Sequence, residues 1–383
     1  MNVLTECLTQ GTSSVGVVSF AKEYLKQQGF EELYYNKMIS PKENSKYYIA
    51  PFPDVLFAFT TGAGKEMIQS LRMAFAHVDQ PCFKVKGKPD FKSMGCAMLN
   101  VEVYGGMMDH TWFDRPLGLA GTIVLKGEDV FNPIEVTYDS KRPVALIPGL
   151  AIHMQREANN GWKIDRQKEL MPLMGLANGR WTEDAFLHFL SEELSVDESE
   201  ILSYDLNLYN YDQPQLCGVK EEILCSPRID NLASVSALLE SLTDGERESG
   251  INLIGLFNHE EVGSFTKSGA DSALLPGILE RILSGIDVIG IASGATYEHL
   301  APVIETLREN TSKPLLTELV VRELIERAYD PDLDNPYYSP DRMIDTALKL
   351  RQQGVQFLRA GGVATFAYTG GLVATLAGLD VVA

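Results

Sequence analysis

Apolar and polar positions alternate along this chain in two different rhythms. Residues 15 to 28 (VGVVSFAKEYLKQQ) space their apolar positions as one face of a helix and stop at Gly29, which suits a C-cap. Helical spacing returns in NLASVSALLESL, SALLPGILERIL and LLTELVVRELIERA. Between these lie short apolar runs that read as strands: YYIAPF, VLFAFTTG, MAFAHVD, INLIGLFNHEE, DVIGIASGA and GLDVVA. The middle, roughly Pro81 to Leu224, is different: NVEVYGG, GTIVLKG, NPIEVTY and RPVALIPG are β-branched runs broken by glycine and proline. The pattern predicts one α/β domain in two pieces, 1–80 and 225–383, interrupted by a β-rich insertion over 81–224.

A length of 383 residues is enough for this two-part arrangement, and 45% hydrophobic with 22% charged residues is the composition of a chain that buries a core. The net charge of −19 makes nucleic acid and anionic membrane surfaces poor partners. Five cysteines with no CxxC read as reduced thiols of a cytoplasmic protein, and the opening MNVLTECLTQ has no secretory signature. One stretch, 360 to 379, is uncharged and of spanning length, but its glycines and threonines suit a buried helix and strand better, so no membrane partner is expected.

In an open α/β sheet, ligands sit at the carboxyl ends of strands. Three polar clusters are candidates there: His77-Val78-Asp79, Asn258-His259-Glu260-Glu261, and Arg228-Ile229-Asp230-Asn231 before a helix. Histidine and carboxylates are the donors a zinc hydrolase needs, and a spare carboxylate can take a proton from water. The alternatives remain open at this point: Asp230 as a helix N-cap and the glutamate pair as a solvated strand end. Two weaker motifs fail. TGAGKE at 61–66 lacks the first glycine and the Ser or Thr of a phosphate loop, and Asp330, Asp332 and Asp334 lack the turn glycine of a calcium loop.

The segments around these clusters resemble the M18 family of zinc aminopeptidases, which includes aspartyl aminopeptidase. AHVDQP is similar to that family's AHTDSP, VEVYGGMMDHTWFDRPLGLAG to its VEVYGG…TWFDRDLxLAG, IPGLAIHMQRE to IPxLAIHLxR, SPRIDNL to SPRLDNL, and NHEEVGS to DHEEVGS. LKQQGFEEL and KYYIAPFPDVLFAF parallel LxxxGFxxL and KYYVTRNxSxLIAF. The likeness runs in order from about residue 15 to 270. It implies a zinc-exopeptidase-like α/β/α catalytic domain whose inserted β domain serves dimerisation, in subunits that build a tetrahedral dodecamer. It implies an aminopeptidase that releases N-terminal residues from peptides with two zinc ions. Residue by residue, His77, Asp230 and Glu261 would be metal ligands, Asp230 bridging; Asp79 would hold His77, and Glu260 would be the general base. His153 falls at a position the family ties to the active site, as a substrate contact or oxyanion stabiliser from a neighbouring subunit, or as a ligand; a partly buried strand histidine is the plain alternative.

The downstream third departs from the family. Its SxDxAHAxHPNY segment, with a metal-binding Asp, has no counterpart in IDVIGIASGATYEHLAPVIE, where Asp287 is the nearest acidic residue. Its final SMHS histidine follows a VDVG-like strand, and this chain ends at GLDVVA. Either segments of the natural protein are missing here or one metal site has been given up. The family's GPVIK reads APVIE, so Glu305 stands where a basic residue would attract an acidic substrate terminus. The competing expectation is a catalytically impaired member serving as an oligomeric scaffold or peptide-binding protein.

Overall fold

The computed structural model describes residues 2–37, 39–62, 71–177, 184–244, 250–283, 289–293, 315–319 and 356–360. Asp287, Glu305, the acidic stretch 330–334, most of 61–66, most of the uncharged stretch 360–379 and the final GLDVVA lie outside these. Among the described residues no helix is long and apolar enough to cross a membrane. The chain forms two compact units: residues 1–20 with 78–233 and 261–263, and residues 21–77 with 234–260 and 264–383.

In the second unit a five-stranded sheet runs in the order Glu31–Glu32, Lys46–Phe52, Val55–Thr61, Ile251–Phe257, Leu71–His77. Ile251–Phe257 pairs antiparallel with Val55–Thr61 and parallel with Leu71–His77, and Phe257 lies opposite His77. A strand buried at the centre of a sheet reads as a near-continuous apolar run, and INLIGLF does, with only the half-buried Asn252 breaking it. Gly255 fits between aromatic rings there: a Cβ would lie 2.8 Å from the Phe75 ring. The helix Leu274–Leu283 gives Leu274, Leu275, Ile278, Leu279 and Ile282 to the same core as Phe57, Phe59 and Phe257. Each such side chain stabilises by about 1.5–3 kcal/mol.

The first unit is built on a seven-stranded sheet in the order Ile201–Asn210, Cys82–Ser93, Cys96–Tyr104, Leu173–Leu176, Ala145–Leu146, Pro116–Leu125, Ile134–Asp139. Ile201–Asn210 also pairs with Pro116–Leu125, which closes the sheet on itself, covers the free edge of Ile201–Asn210 and leaves Ile134–Asp139 as the outer strand. Gly118 lies opposite Tyr209, and a Cβ on it would come within 2.4 Å of the ring. The interior holds Phe83, Leu99, Trp112, Leu119 and Leu206, and the helix Ala185–Leu194 adds Phe186 and Leu190.

The helix predicted after residue 14 spans Ser14–Gln27, and Gly29 takes the left-handed conformation (φ 82°) while Phe30 N donates to Leu25 O. LLTELVVRELIERA is a correction. Its first residues, Leu315–Leu319, form the middle strand of a parallel three-stranded sheet with Ile289–Ser293 and Gln356–Ala360. Three leucines within five residues, at 315, 316 and 319, can serve either element, and tertiary pairing decides it.

Candidate active site

His77 ends its strand almost fully buried, at 2% exposure. On the neighbouring strand the chain leaves the sheet after Phe257, turns through a left-handed His259 (φ 63°), and enters a short turn at Glu260–Val262. Because Phe257 and His77 share a register position, Glu260 returns beside the histidine, with Oε2 3.8 Å from His77 Nε2. That distance is beyond a hydrogen bond and within electrostatic reach.

Asp79 and Glu261, the next carboxylates along these two segments, are held within the first unit. Asp79 is 3% exposed, and its Oδ2 accepts from Tyr104 Oη at 2.7 Å and from the backbone N of Glu261 at 3.1 Å. Burial, and then the charge of Asp79, hold the Tyr104 phenol well above its ordinary pKa, so it stays a donor. Glu261 Oε2 accepts from Gly106 N at 3.2 Å. Gly105 (φ 75°) lies under that carboxylate; a Cβ there would sit 2.8 Å from Glu261 Oε2. The Tyr-Gly-Gly run therefore clasps both carboxylates. Tyr104 was not among the candidates read from sequence; the glycine pair after an aromatic residue was the available signal.

Asp230 is exposed and extended (φ −80°, ψ 111°), and the Asp230–Asn231 peptide bond is cis. Two residues before it, Arg228 is anchored on main-chain carbonyls: Nη1 donates to Asn210 O at 2.7 Å and Nη2 to Leu8 O at 2.8 Å, over the Tyr209 ring. Burial lowers its pKa. Asp230 and Arg228 line a cavity of about 490 Å³ with Gln80, Met107, Trp112 and Arg115. His153 sits in an exposed turn and does not line that cavity, so the partly buried strand position is not what the fold gives it.

The structure thus brings His77 to Glu260, and Asp79 to Tyr104 and Glu261, and places Asp230 in the cavity wall. An imidazole nitrogen and carboxylates are donors of the kind zinc takes. Among the described residues no group of three or more His, Cys, Asp or Glu side chains is close enough to hold an ion.

Residues 8–295 match the family model of the aminopeptidase I zinc metalloproteases, M18. This chain belongs to the M18 family. A probable M18 family aminopeptidase 2 of Clostridium novyi is 36% identical over 288 residues, covering 75% of this chain. The chain spans 66% of that M18 relative's length. Among solved structures, the Ape4 and Nbr1 complex superposes with a TM-score of 0.72 at 24% identity, over 99% of this chain and 78% of that one. The S. cerevisiae mApe1 dodecamer gives 0.62 at 18% identity, over 99% and 87%. At these identities the likeness establishes the M18 fold: α/β with a β-rich domain.

Proposed function

We propose that this M18 protein is a metalloaminopeptidase that cleaves the first peptide bond of short peptides. The observation that carries the reading is the placement of Glu260 against the buried His77 at the ends of two paired parallel strands. His77, Asp230 and Glu261 are the residues that would hold zinc, two ions in all by family pattern. Zinc when bound supplies Lewis acidity and makes a water acidic enough to deprotonate near neutral pH. Glu260 takes the proton from the attacking water and returns it to the departing amine nitrogen. Asp79 keeps the histidine two residues before it in one tautomer, as carboxylates beside metal-ligating histidines do. His153 contacts substrate from a neighbouring subunit. Glu305 disfavours an acidic N-terminal residue.

The test is Glu260→Gln in the purified chain, assayed on a panel of aminoacyl p-nitroanilides with metal content measured in parallel. Turnover falls by about 10²–10⁴-fold while bound metal is retained. Parent-like turnover would remove Glu260 from the mechanism.

We further infer that residues 81–224 form a domain through which subunits pair and assemble towards a dodecamer. Support comes from the exposed apolar side chains this region carries, among them Phe131, Leu150, Met154 and Leu176. Light scattering at micromolar concentration checks it; a stable active monomer of 42.3 kDa refutes it. A cytoplasmic location is proposed on the thiol content and is checked by cell fractionation.

A further inference from the structure

The turn that carries Glu260 is fastened from one side by a carboxylate that no reading of the catalytic set includes. Asp54 occupies the two-residue turn between the strands Lys46–Phe52 and Val55–Thr61. Its Oδ2 accepts from Asn258 Nδ2 at 2.8 Å and its Oδ1 from Ser268 Oγ at 2.9 Å. Both donors are buried, Asn258 at 6% exposure and Ser268 at 0%. The backbone repeats the link, since Asn258 N donates to Ser268 O at 3.0 Å.

The amide of Asn258 is thereby fixed in sense. With its nitrogen committed to Asp54, its oxygen faces the chain and accepts from His259 N at 2.8 Å. His259 is the residue in the left-handed conformation, which a side-chain-bearing residue adopts only when its surroundings hold it there. It is held twice more: its Nδ1 pairs with Thr266 Oγ1 at 2.7 Å, and its carbonyl accepts from Ser264 N at 2.8 Å. Glu260 follows directly, so the direction in which it leaves the sheet is set by this chain of bonds.

We propose that Asp54 is a positioning residue for Glu260, acting through the Asn258 amide and the left-handed His259. The proposal rests on the reading of Glu260 as the general base. Asp54 hydrogen-bonds Asn258 and Ser268, and its role is exerted through them. It decides which way the Asn258 amide points, and so whether the His259 N–H has an acceptor. The chemistry makes the pair directional: an acceptor-only group at 54 requires a donor at 258, and the first residue of the NHEE run supplies one.

The experiment compares Asp54→Ala and Asp54→Asn in the full chain, with two readouts. The first is steady-state kinetics on an aminoacyl p-nitroanilide that the parent turns over. The second is backbone amide exchange over residues 258–264 by mass spectrometry. Asp54→Ala strips the acceptor from two buried donors; kcat falls by about 10–100-fold while KM stays within about twofold, and exchange over 258–264 accelerates. Asp54→Asn restores both readouts, because its oxygen still accepts from Asn258 while its amide donates to Ser268 Oγ. Adding Asn258→Asp to Asp54→Asn reverses the pair and also retains activity, whereas Asn258→Asp alone sets two carboxylates face to face and does not. Unchanged exchange in Asp54→Ala, or equal damage by Ala and Asn, overturns the proposal. If the parent turns over no substrate but Asp54→Ala still accelerates exchange over 258–264, the fastening stands and the assignment of Glu260 as the base falls.

Discussion

Tyr104→Phe removes one oxygen and leaves the ring that fills its place in the structure. That oxygen donates to Oδ2 of Asp79, a carboxylate only 3% exposed that also accepts from the backbone N of Glu261. A hydrogen bond to a charged group contributes about 1.5–3 kcal/mol, and losing it exposes no cavity when Phe replaces Tyr. The backbone N of Glu261 still donates to the same oxygen, so the loss lies near the lower end, about 1.5 kcal/mol, or about tenfold in the folding equilibrium. Urea unfolding followed by tryptophan fluorescence reads this as a lower midpoint at unchanged slope. Activity should fall further than stability, by about 10–100-fold, because Asp79 is freed to reorient. A variant that matches the parent in both midpoint and turnover would show that Asp79 draws nothing from Tyr104, and the clasp would be a packing contact only.

Alkaline solutions should unfold the protein from about pH 10, the ordinary tyrosine range. Burial pushes Tyr48 and Tyr204 up to about 12 and Tyr104, Tyr138 and Tyr209 higher, so above pH 10 the folded state keeps protons that the unfolded state releases and stability falls with pH, by up to about 1.4 kcal/mol per unit for each such tyrosine. Urea midpoints that stay level between about pH 9.5 and 11 would contradict this. Iodoacetamide at about pH 8 should label the exposed Cys217 and Cys225 and spare the buried Cys82, whose thiol is pushed up to about 12 and is ionised to only about 10⁻⁴. Peptide mapping that finds Cys82 labelled as fast as Cys217 refutes it. Gly118→Ala drives a methyl into the Tyr209 ring and should cost about 1–3 kcal/mol; an unshifted unfolding midpoint would show that the ring moves aside freely.

The parts of the fold that sequence reveals are those where periodicity is long and one-sided. Ser14–Gln27 and Leu274–Leu283 keep an apolar stripe along their length, and the closed sheet shows as short apolar runs cut by glycine, as in Pro116–Leu125. Leu315–Leu319 reads as helix in the sequence, because leucines at 315, 316 and 319 also fit the spacing of one helix face, and only its pairing makes it a strand. The helix Ala185–Leu194 lies inside a region whose glycines and prolines suggest only strands and turns. In the site, His77, Asp79, Glu260 and Glu261 are legible because they close apolar runs. Tyr104 and Asp54 are not, since a strand-end tyrosine and a turn aspartate are ordinary residues until the fold sets them against Asp79 and Asn258.

The pairing of Ile251–Phe257 with Leu71–His77 makes those two strands a measuring rule laid across a long detour of chain. Everything between His77 and Ile251 leaves one rung of the ladder and rejoins it at the neighbouring rail. Loops along that detour can lengthen or shorten without moving Glu260 relative to His77, because the rungs, not the intervening chain, set the spacing. A slip of one residue in the ladder has the opposite character. It would shift Glu260 by about 3.3 Å along the rail and turn the side chains of its strand to the other face. Tolerance to insertion and intolerance to misregistration are then two results of one geometry. Natural or designed variants of this chain should differ in what they carry on the detour and agree in the length of the rails.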